Sequence, residues 1–318
     1  MSFSAETKRE LSRVETEKKC CAPAEIAGFI RVCGLINMDH SGEVSLKLTT
    51  ENPAIARLYL KKIRGYFKVH ANLHIGKSKV LKKGHTYEIA IDGKDGAEQI
   101  LREVGILRVK EGYDYIASDI YEEIIKRKCC KKAYLRGVFI GAGTISDPEK
   151  GYHLEMVVDN EILASDLRRL INSFGLRSKI VKRRKHYVVY LKEAEQIIDF
   201  LNILGAHGQL LEIENIRILK DIRNRTNRIV NCESANLDKT VNTAYRQIES
   251  IKTIEKLAGL DSLSPRLAEA ADLRLKNPQA SLEELASMTN PPVKKSGIYH
   301  RLRKIDEIAE KLRKGVFL

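Results

Sequence analysis

A group of basic and hydrogen-bonding side chains lies between residues 294 and 304, near the end of the chain. Its members are Lys294, Lys295, Ser296, Tyr299, His300, Arg301, Arg303 and Lys304. Ammonium, guanidinium, hydroxyl and imidazole groups are the donors that contact base edges and phosphate oxygens in a DNA groove. The pattern therefore predicts a surface that binds double-stranded DNA.

Two further groups of arginine and lysine could contact phosphate. They are Lys182, Arg183 and Arg184 in a predicted hairpin, and Arg223, Arg225 and Arg228 in a later segment that is also rich in asparagine. Arginine and asparagine donors suit phosphate oxygens. For the later segment, a solvated charged linker is an equally good interpretation.

The positive charge is spread over the whole chain. Of 318 residues, 56 are Lys or Arg and 42 are Asp or Glu, which leaves a net charge of +14. Only 18 of the basic and 12 of the acidic residues follow residue 222, so both parts are positive. This balance favours a polyanion as the partner, although Lys- and Glu-rich surfaces also promote solubility and thermostability.

Several classes of protein are excluded or disfavoured by the composition. An apolar fraction of 43% argues against general disorder, and no apolar run is long enough for a membrane span. The N-terminal residues are charged where a signal peptide would be apolar. We therefore expect a cytoplasmic protein whose six cysteines are reduced, and binding to chromosomal DNA would place it at the nucleoid.

An internal repeat organises the first two-thirds of the chain. Residues 19–36 align with residues 128–145 at an offset of 109, which pairs two Lys-Cys-Cys runs and places Gly28 on Gly137 and Gly34 on Gly143. We expect a duplicated unit, with one copy at about 19–107 and the other at about 128–206. The extra length of the first copy is predicted to lie at 77–84.

Each copy is predicted to run helix, strand, helix, strand, strand, helix. In the second copy the expected segments are 133–142, 153–158, 160–174, 177–183, 186–192 and 193–204, with Asn160 as a helix cap. In the first copy the expected segments after the first helix are 44–50, 53–63, 68–75, 85–91 and 97–104. The class is α+β, with two pseudo-symmetric halves in one saddle-like sheet.

Capping residues divide the last part of the chain into three predicted helices. Ser264 begins the first and Asn277 ends it, and a capping box of Ser281 with Glu284 opens the second. The third has an apolar stripe made of Ile298, Leu302, Ile305, Ala309 and Leu312. This order is typical of a helix-turn-helix, with a three-helix protein-interaction bundle as the alternative.

Three segments follow from these patterns. Residues 1–222 form the duplicated domain, 223–262 a linker containing a long helix, and 263–318 the helix-turn-helix domain. The long helix is predicted over 236–257 and is ended by Gly259, after a helical or extended connection over 210–222.

The first helix of each copy ends in IAGFIRVCG (26–34) or LRGVFIGAG (135–143), and both resemble the LAGLIDADG motif of homing endonucleases. In those enzymes the last Asp of the motif holds a divalent metal. The corresponding positions here are Cys33 and Ala142, and the earlier Asp of the motif falls on Arg31 and Ile140. The resemblance implies a retained scaffold without cleavage chemistry, because Mg²⁺ requires oxygen ligands.

Asp39 and Asp147 follow the motifs at corresponding positions and could form a displaced metal pair. Their neighbours are turn residues, so the sequence favours turns at both positions.

Vicinal cysteine pairs, Cys20-Cys21 and Cys129-Cys130, precede or open the two motif helices. A zinc site is one interpretation, but adjacent cysteines do not easily ligate one tetrahedral metal, and structural sites use wider spacing. The sequence favours small, buried, reduced packing residues, and no metal site is predicted.

The whole chain resembles the WhiA family. The resemblance is carried by the duplicated motif, the arginine-rich segment followed by residues 231–236, and residues 280–304. It implies a degenerate LAGLIDADG homing-endonuclease-like domain followed by an all-α, sigma-region-4-like helix-turn-helix domain.

The function that this resemblance implies is DNA-binding transcription regulation connected with sporulation, cell division and chromosome segregation. It implies no enzymatic activity and no cofactor, with DNA and another regulatory protein as partners. The oligomeric state stays open. An active homing endonuclease or an RNA maturase is the alternative function.

Overall fold

The structure is a computed structural model, and it describes residues 2–15, 18–39, 42–77 and 85–315. Two compact units divide the chain, Met1–Lys220 and Asp221–Leu318. Each unit is described by itself below. In the residues described, no helix has the length and apolar character needed to cross a membrane.

The first copy of the repeat has an αββαββα order, after an N-terminal helix α1 (Phe3–Leu11). Its elements are α2 (Cys21–Cys33), β1 (Gly34–Met38), β2 (Val44–Thr50), α3 (Pro53–Phe67), β3 (Asn72–Lys77), β4 (His85–Ile91) and α4 (Ala97–Glu103). The strands form an antiparallel sheet in the order β1-β2-β4-β3. The predicted insertion at 77–84 lies largely outside the described residues.

The second copy repeats this order. Its elements are α5 (Lys128–Ala142), β7 (Gly143–Ile145), β8 (Leu154–Val158), α6 (Glu161–Asn172), β9 (Lys179–Arg183), β10 (His186–Leu191) and α7 (Ala194–Leu204). Its sheet order is β7-β8-β10-β9, which is the same as in the first copy. Asn160 caps α6 as predicted, because its side chain accepts a hydrogen bond from Leu163 N at 2.7 Å.

Three features of this unit differ from the prediction. The strands form two separate four-stranded sheets instead of one, and each sheet contains an additional strand, β1 or β7, directly after the motif helix. These strands escaped prediction because β7 has only three residues and β1 is largely exposed, so neither shows a clear apolar alternation. A hairpin of β5 (Leu107–Lys110) and β6 (Tyr113–Ile116) joins the copies and was also not predicted.

The two motif helices cross at glycines. A Cβ added at Gly28 would lie 2.3 Å from Tyr134 O, and one added at Gly137 would lie 2.1 Å from Glu25 O. Backbone therefore packs against backbone along the axis that relates the two copies. A single core surrounds these helices and includes Phe29 stacked on Tyr59 with ring centroids 3.6 Å apart.

Helix α8 (His207–Ala258) is a continuous helix of 52 residues that crosses the boundary between the units. The predicted helix at 236–257 is therefore the last part of a longer one, and the expected linker at 223–235 is helical. Between Gly208 and the end of α8 the sequence contains neither glycine nor proline. The polar residues of the expected linker are compatible with a helix, so the helix continues through them. Gly259, with φ of 78°, follows the helix as predicted.

The C-terminal unit contains three further helices, α9 (Pro265–Lys276), α10 (Leu282–Met288) and α11 (Lys295–Arg313). The capping box of Ser281 and Glu284 is present. The predicted apolar stripe of α11 is buried, and together with residues of α9, α10 and the end of α8 it forms a core of its own.

Candidate nucleic-acid interface

Helix α11 separates a buried face from a polar face. Ile298 and Leu302 are completely buried, whereas Ser296, Tyr299, His300 and Arg303 are exposed. Lys294 is the N-cap, and Lys295 is the first residue of the helix. Because the two faces are offset around one helix, packing of the apolar stripe fixes the direction in which the polar side chains project.

Arg301 differs from the other predicted contact residues. Its side chain is only 18% exposed, and its Nη1 donates to Glu269 at 2.9 Å. Glu269 also accepts a hydrogen bond from Asn290 N at 2.8 Å, so this pair connects α9, the turn and α11. The structure therefore gives Arg301 a role in positioning the helices.

Acidic neighbours lie beside three of the exposed cations. Arg303 Nε and Lys304 Nζ are each 3.4 Å from Glu307, and Lys295 Nζ is 3.8 Å from Glu283. All these side chains are well exposed, so solvent screens the pairs and each contributes at most about 1 kcal/mol. Such pairs exchange readily for contacts with phosphate.

A groove between the start of α9 and α11 extends this basic surface. It has a volume of about 590 Å³ and is lined by Ser264, Arg266, Leu267, His300, Arg301, Arg303, Lys304 and Glu307. Arg266 was not predicted as a site residue. Its position next to the cap of α9 was visible in the sequence, but its proximity to α11 depends on the tertiary fold.

The predicted hairpin is formed by β9 and β10. Arg183 Nη1 reaches across β10 to Glu155 on β8 at 3.0 Å, and Lys182 Nζ lies 5.3 Å from the ring centroid of Tyr187. Arg184 occupies the turn with φ of 54°. A non-glycine residue in this left-handed conformation is uncommon, so the sequence keeps a long cation at a position that favours glycine or asparagine.

The arginines of the central segment, Arg223, Arg225 and Arg228, are exposed on α8. Arg225 and Arg228 are three residues apart and therefore lie on the same side of the helix. Arg223 is two residues from Arg225 and points to a different side.

The C-terminal ends of the motif helices carry no carboxylate at the positions that correspond to the last motif Asp, which are Cys33 and Ala142. Arg31, at the position of the earlier motif Asp, donates hydrogen bonds to the carbonyl oxygens of Ala117 and Asp119, the latter at 2.6 Å. Burial raises the pKa of Cys33 to about 12, although the positive charge of Lys8 opposes this shift.

Helix α1, which the sequence analysis did not predict, packs against α5 and β7 in this region. Ser4 Oγ accepts a hydrogen bond from Ile145 N at 3.4 Å. Burial lowers the pKa of Lys8, and the nearby Cys33 opposes the shift. Thiol, methyl and ammonium groups therefore surround the place where the motif would supply oxygen ligands.

Asp39 and Asp147 both stabilise turns, as predicted. Asp39 Oδ1 accepts from Glu43 N at 2.8 Å, and Asp147 Oδ1 accepts from Glu149 N at 3.0 Å. Their carboxylates are engaged with the backbone of their own loops.

The vicinal cysteines lie at the opposite, N-terminal ends of the same two helices. The fold brings all four together, so that the sulfurs of Cys20, Cys21, Cys129 and Cys130 lie within 4.8 Å of one another. The sequence predicts no such cluster, because only the crossing of α2 and α5 places one pair beside the other.

The thiols of this cluster have different acidities. Burial raises the pKa of Cys20, but hydrogen bonds from Cys130, Cys129, Cys21 and Arg127 outweigh it, and its pKa is lowered overall. Burial raises the pKa of Cys130 to about 11 and raises that of Cys21 as well.

Fold and site together define a class of protein: a duplicated LAGLIDADG-like domain without the motif carboxylates, followed by a helix-turn-helix. The family models that match agree with this division. They are the WhiA N-terminal LAGLIDADG-like domain at residues 19–107, the WhiA LAGLIDADG-like domain at 131–223 and the WhiA C-terminal HTH domain at 226–309.

Similar proteins match over the full length of the chain. A probable cell division protein WhiA from Clostridium perfringens is 50% identical over 317 residues and covers 100% of both chains. One from Alkaliphilus metalliredigens is 48% identical, covering 98% of this chain and 99% of the relative. The crystal structure of full-length DUF199/WhiA from Thermotoga maritima is 25% identical with a TM-score of 0.56, covering 98% of this chain and 99% of that one. The chain belongs to the WhiA family.

Proposed function

We propose that this protein is a DNA-binding transcription regulator that holds double-stranded DNA without cutting it. The observation that carries the proposal is the basic groove beside α11. His300 and Arg303 line this groove, Tyr299 is exposed on the same helix, and the opposite face of the helix is buried. These side chains have the donors that a recognition helix uses on base edges, and Lys294 and Lys295 at its start suit flanking phosphates.

The duplicated domain adds phosphate contacts in this proposal. Lys182, Arg183 and Arg184 surround the β9–β10 turn, and the left-handed Arg184 presents a charge where a smaller residue would be less strained. Arg223, Arg225 and Arg228 supply a further positive segment on α8. Such contacts position a protein on DNA without reading its sequence.

The cellular role that we propose follows the family. The relatives at about 50% identity are named probable cell division protein WhiA. We place this chain in cell division and chromosome segregation, and in sporulation-type development where the organism sporulates. It acts in the cytoplasm at the nucleoid, together with another regulatory protein.

The first test is a binding selection. Sequences enriched from genomic DNA by the full chain give a target duplex, on which Arg303→Ala and Lys295→Ala are measured. We expect each change to weaken binding by roughly 5- to 150-fold, which corresponds to about 1–3 kcal/mol. Lys276→Ala is the matched control, because Lys276 is also an exposed, ion-paired lysine of this unit but lies at the end of α9 instead of on α11.

Equal affinity of the two variants and the wild-type chain for the selected duplex would show that α11 is not the recognition helix. Measurements across salt concentration separate the two kinds of contact. A lost phosphate contact reduces the salt dependence by about one unit of slope, whereas a lost base contact weakens binding to the selected sequence in particular.

The alternative, an active endonuclease or RNA maturase, requires metal-bound carboxylates at the ends of the motif helices. Cys33 and Ala142 offer no oxygen ligand from their side chains. Incubation of the full chain with supercoiled DNA carrying the selected site and Mg²⁺ should leave the DNA intact. A DNA-linearising activity that co-purifies with the protein would refute the proposal that it does not cleave DNA.

A further inference from the structure

The four-cysteine cluster at the N-terminal ends of the motif helices is not explained by DNA binding. Its sulfurs all lie within 4.8 Å of one another, and those of Cys129 and Cys130 are 3.9 Å apart. In a tetrahedral zinc site with Zn–S bonds of about 2.3 Å, neighbouring sulfurs are separated by ~3.8 Å. The cluster therefore needs only small rotamer adjustments to reach the spacing of a tetrathiolate site.

The adjacency of the cysteines does not prevent convergence, because the two pairs enter from different elements. Cys20 precedes α2 as its N-cap and Cys21 is its first residue, whereas Cys129 and Cys130 lie in the first turn of α5. Each pair supplies two sulfurs from its own helix terminus. Cys130 Sγ also lies 3.3 Å from the carbonyl oxygen of Cys20, which shows how closely the two termini approach.

The surroundings are suited to a negatively charged centre. Seven cations lie within three positions of the cysteines along the chain: Lys18, Lys19, Lys126, Arg127, Lys128, Lys131 and Lys132. Arg127 Nη1 donates to Cys20 Sγ at 3.8 Å. Four thiolates and one divalent cation carry a net charge of −2, which these cations and the positive ends of two helices stabilise.

We propose that Cys20, Cys21, Cys129 and Cys130 bind one Zn²⁺ ion in a closed, structural tetrathiolate site. Binding replaces four S–H bonds with four Zn–S bonds and releases up to four protons, with no electron transfer. The ion ties the start of one motif helix to the start of the other and so joins the two copies of the repeat. It lies at the opposite ends of the helices from Cys33 and Ala142 and takes no part in cleavage.

Access and selectivity agree with this assignment. Two cavities reach the cluster, one of about 400 Å³ lined by Cys20 and Cys130 and another of about 540 Å³ lined by Cys21 and Cys129. Soft thiolates select zinc over magnesium or calcium. An iron–sulfur cluster would hold the cysteine sulfurs farther apart, because iron and sulfide lie between them.

The test uses the full chain, stripped of metal under anaerobic, reducing conditions and titrated with Co²⁺. We expect saturation at one Co²⁺ per chain, with the strong visible bands of tetrahedral thiolate cobalt, and loss of these bands when Zn²⁺ displaces the cobalt. Metal analysis of protein purified without chelator should find one zinc per chain.

Cys20→Ser and Cys129→Ser remove one sulfur from each pair at a half-buried position, and each should weaken Co²⁺ binding at least about tenfold. Cys232→Ser is the control, because this exposed cysteine lies on α8 and should leave the titration unchanged. If a variant folds poorly, thiol labelling of the native wild type replaces it: zinc should protect Cys20 and Cys129, the two half-buried thiols of the cluster that react in the metal-free protein.

Three results would overturn the proposal: no stoichiometric uptake of Co²⁺ or Zn²⁺, uptake that both cluster variants leave unchanged, or iron with sulfide in place of zinc. A disulfide between the pairs in protein purified under reducing conditions would overturn it as well. Neither DNA affinity nor the nuclease assay enters these measurements, so the outcome is independent of the proposed function.

Discussion

Glu25 is a fully buried carboxylate on the first motif helix, and it holds two cations. Its oxygens contact Lys62 Nζ and, at 3.3 Å, Arg136 Nη1, while Arg136 Nε donates to Leu204 O at 2.8 Å. Burial lowers the pKa of Lys62, and the charge of Glu25 opposes that shift. The two copies of the repeat are thus connected through a charge cluster that is largely shielded from water.

Glu25→Gln should therefore destabilise the protein by about 3–5 kcal/mol, because the buried Arg136 and the largely buried Lys62 lose their counter-charge while the shape of the side chain is kept. Denaturant unfolding followed by far-ultraviolet circular dichroism measures the change. Glu98→Gln is the control: Glu98 pairs with Arg102 on the surface, and its loss should cost at most about 1 kcal/mol. A similar, small effect of both changes would contradict the role given to Glu25.

Among individual residues, the sequence predicted contacts between near neighbours in the chain. The caps at Asn160 and Ser281 were predicted because the capping residue and its backbone partner lie within three positions. The Glu25 cluster and the four-cysteine cluster were not predicted. Each joins residues that are more than a hundred positions apart in the sequence and that meet only where the two motif helices cross. The ion pair of Arg301 with Glu269 on another helix was also missed, and the DNA contact expected of Arg301 stays a prediction.

The crossing of α2 and α5 is the element-level feature on which the first unit depends. At Gly28 and Gly137 the opposing backbone lies where a Cβ would be, so the helices cannot keep their separation with larger residues. Gly65 on α3 is a useful contrast, since a Cβ there would meet no atom within 4 Å.

Gly28→Ala should lower the free energy of unfolding by several kcal/mol, because it forces the motif helices apart and disturbs the core around them. Gly65→Ala should instead stabilise the protein by roughly 0.5–1 kcal/mol, because alanine loses less backbone entropy in a helix than glycine does. Equilibrium urea unfolding of both variants measures the difference. If Gly28→Ala left the free energy of unfolding unchanged, the two motif helices could move apart at their crossing without loss of stability, contrary to this prediction.

Most helices were predicted correctly because their apolar stripes must face a core. The stripe of α11 is one example, and the buried Leu163 and Leu167 of α6 are another. The short strands β1 and β7 could not be recognised in this way, since β1 is largely exposed and β7 has only three residues, and their hydrogen bonding to β2 and β8 defines them. The division of the strands into two sheets depends on the same pairing, which the order of apolar and polar residues along the chain does not reveal.

At the scale of the whole molecule, two separate cores lie on either side of an exposed stretch of α8. None of the side chains from residue 221 to residue 242 is buried, although the helix continues through them. The positive charge is likewise divided between the two units, and the proposed function assigns phosphate contacts to each of them.

Asn231→Pro should break α8 within this stretch while both cores stay intact, because proline removes a helical hydrogen bond and clashes with the preceding turn. We expect unchanged thermal unfolding of the two units, a smaller helical circular dichroism signal and new proteolytic cleavage near residue 231. Asn231→Ala, at the same exposed position, should show none of these changes.

The same variant tests whether the units act together on DNA. If both contact one duplex, a kink in α8 alters the geometry that joins them, and affinity for a long duplex containing the selected site should fall by roughly tenfold or more. Affinity for a short duplex that covers only the helix-turn-helix site should stay the same, because that unit keeps its own core. Equal affinities of Asn231→Pro and Asn231→Ala for the long duplex would mean that the charge of the first unit serves a different partner. A fall on the short duplex as well would mean that the intact helix supports α11 itself.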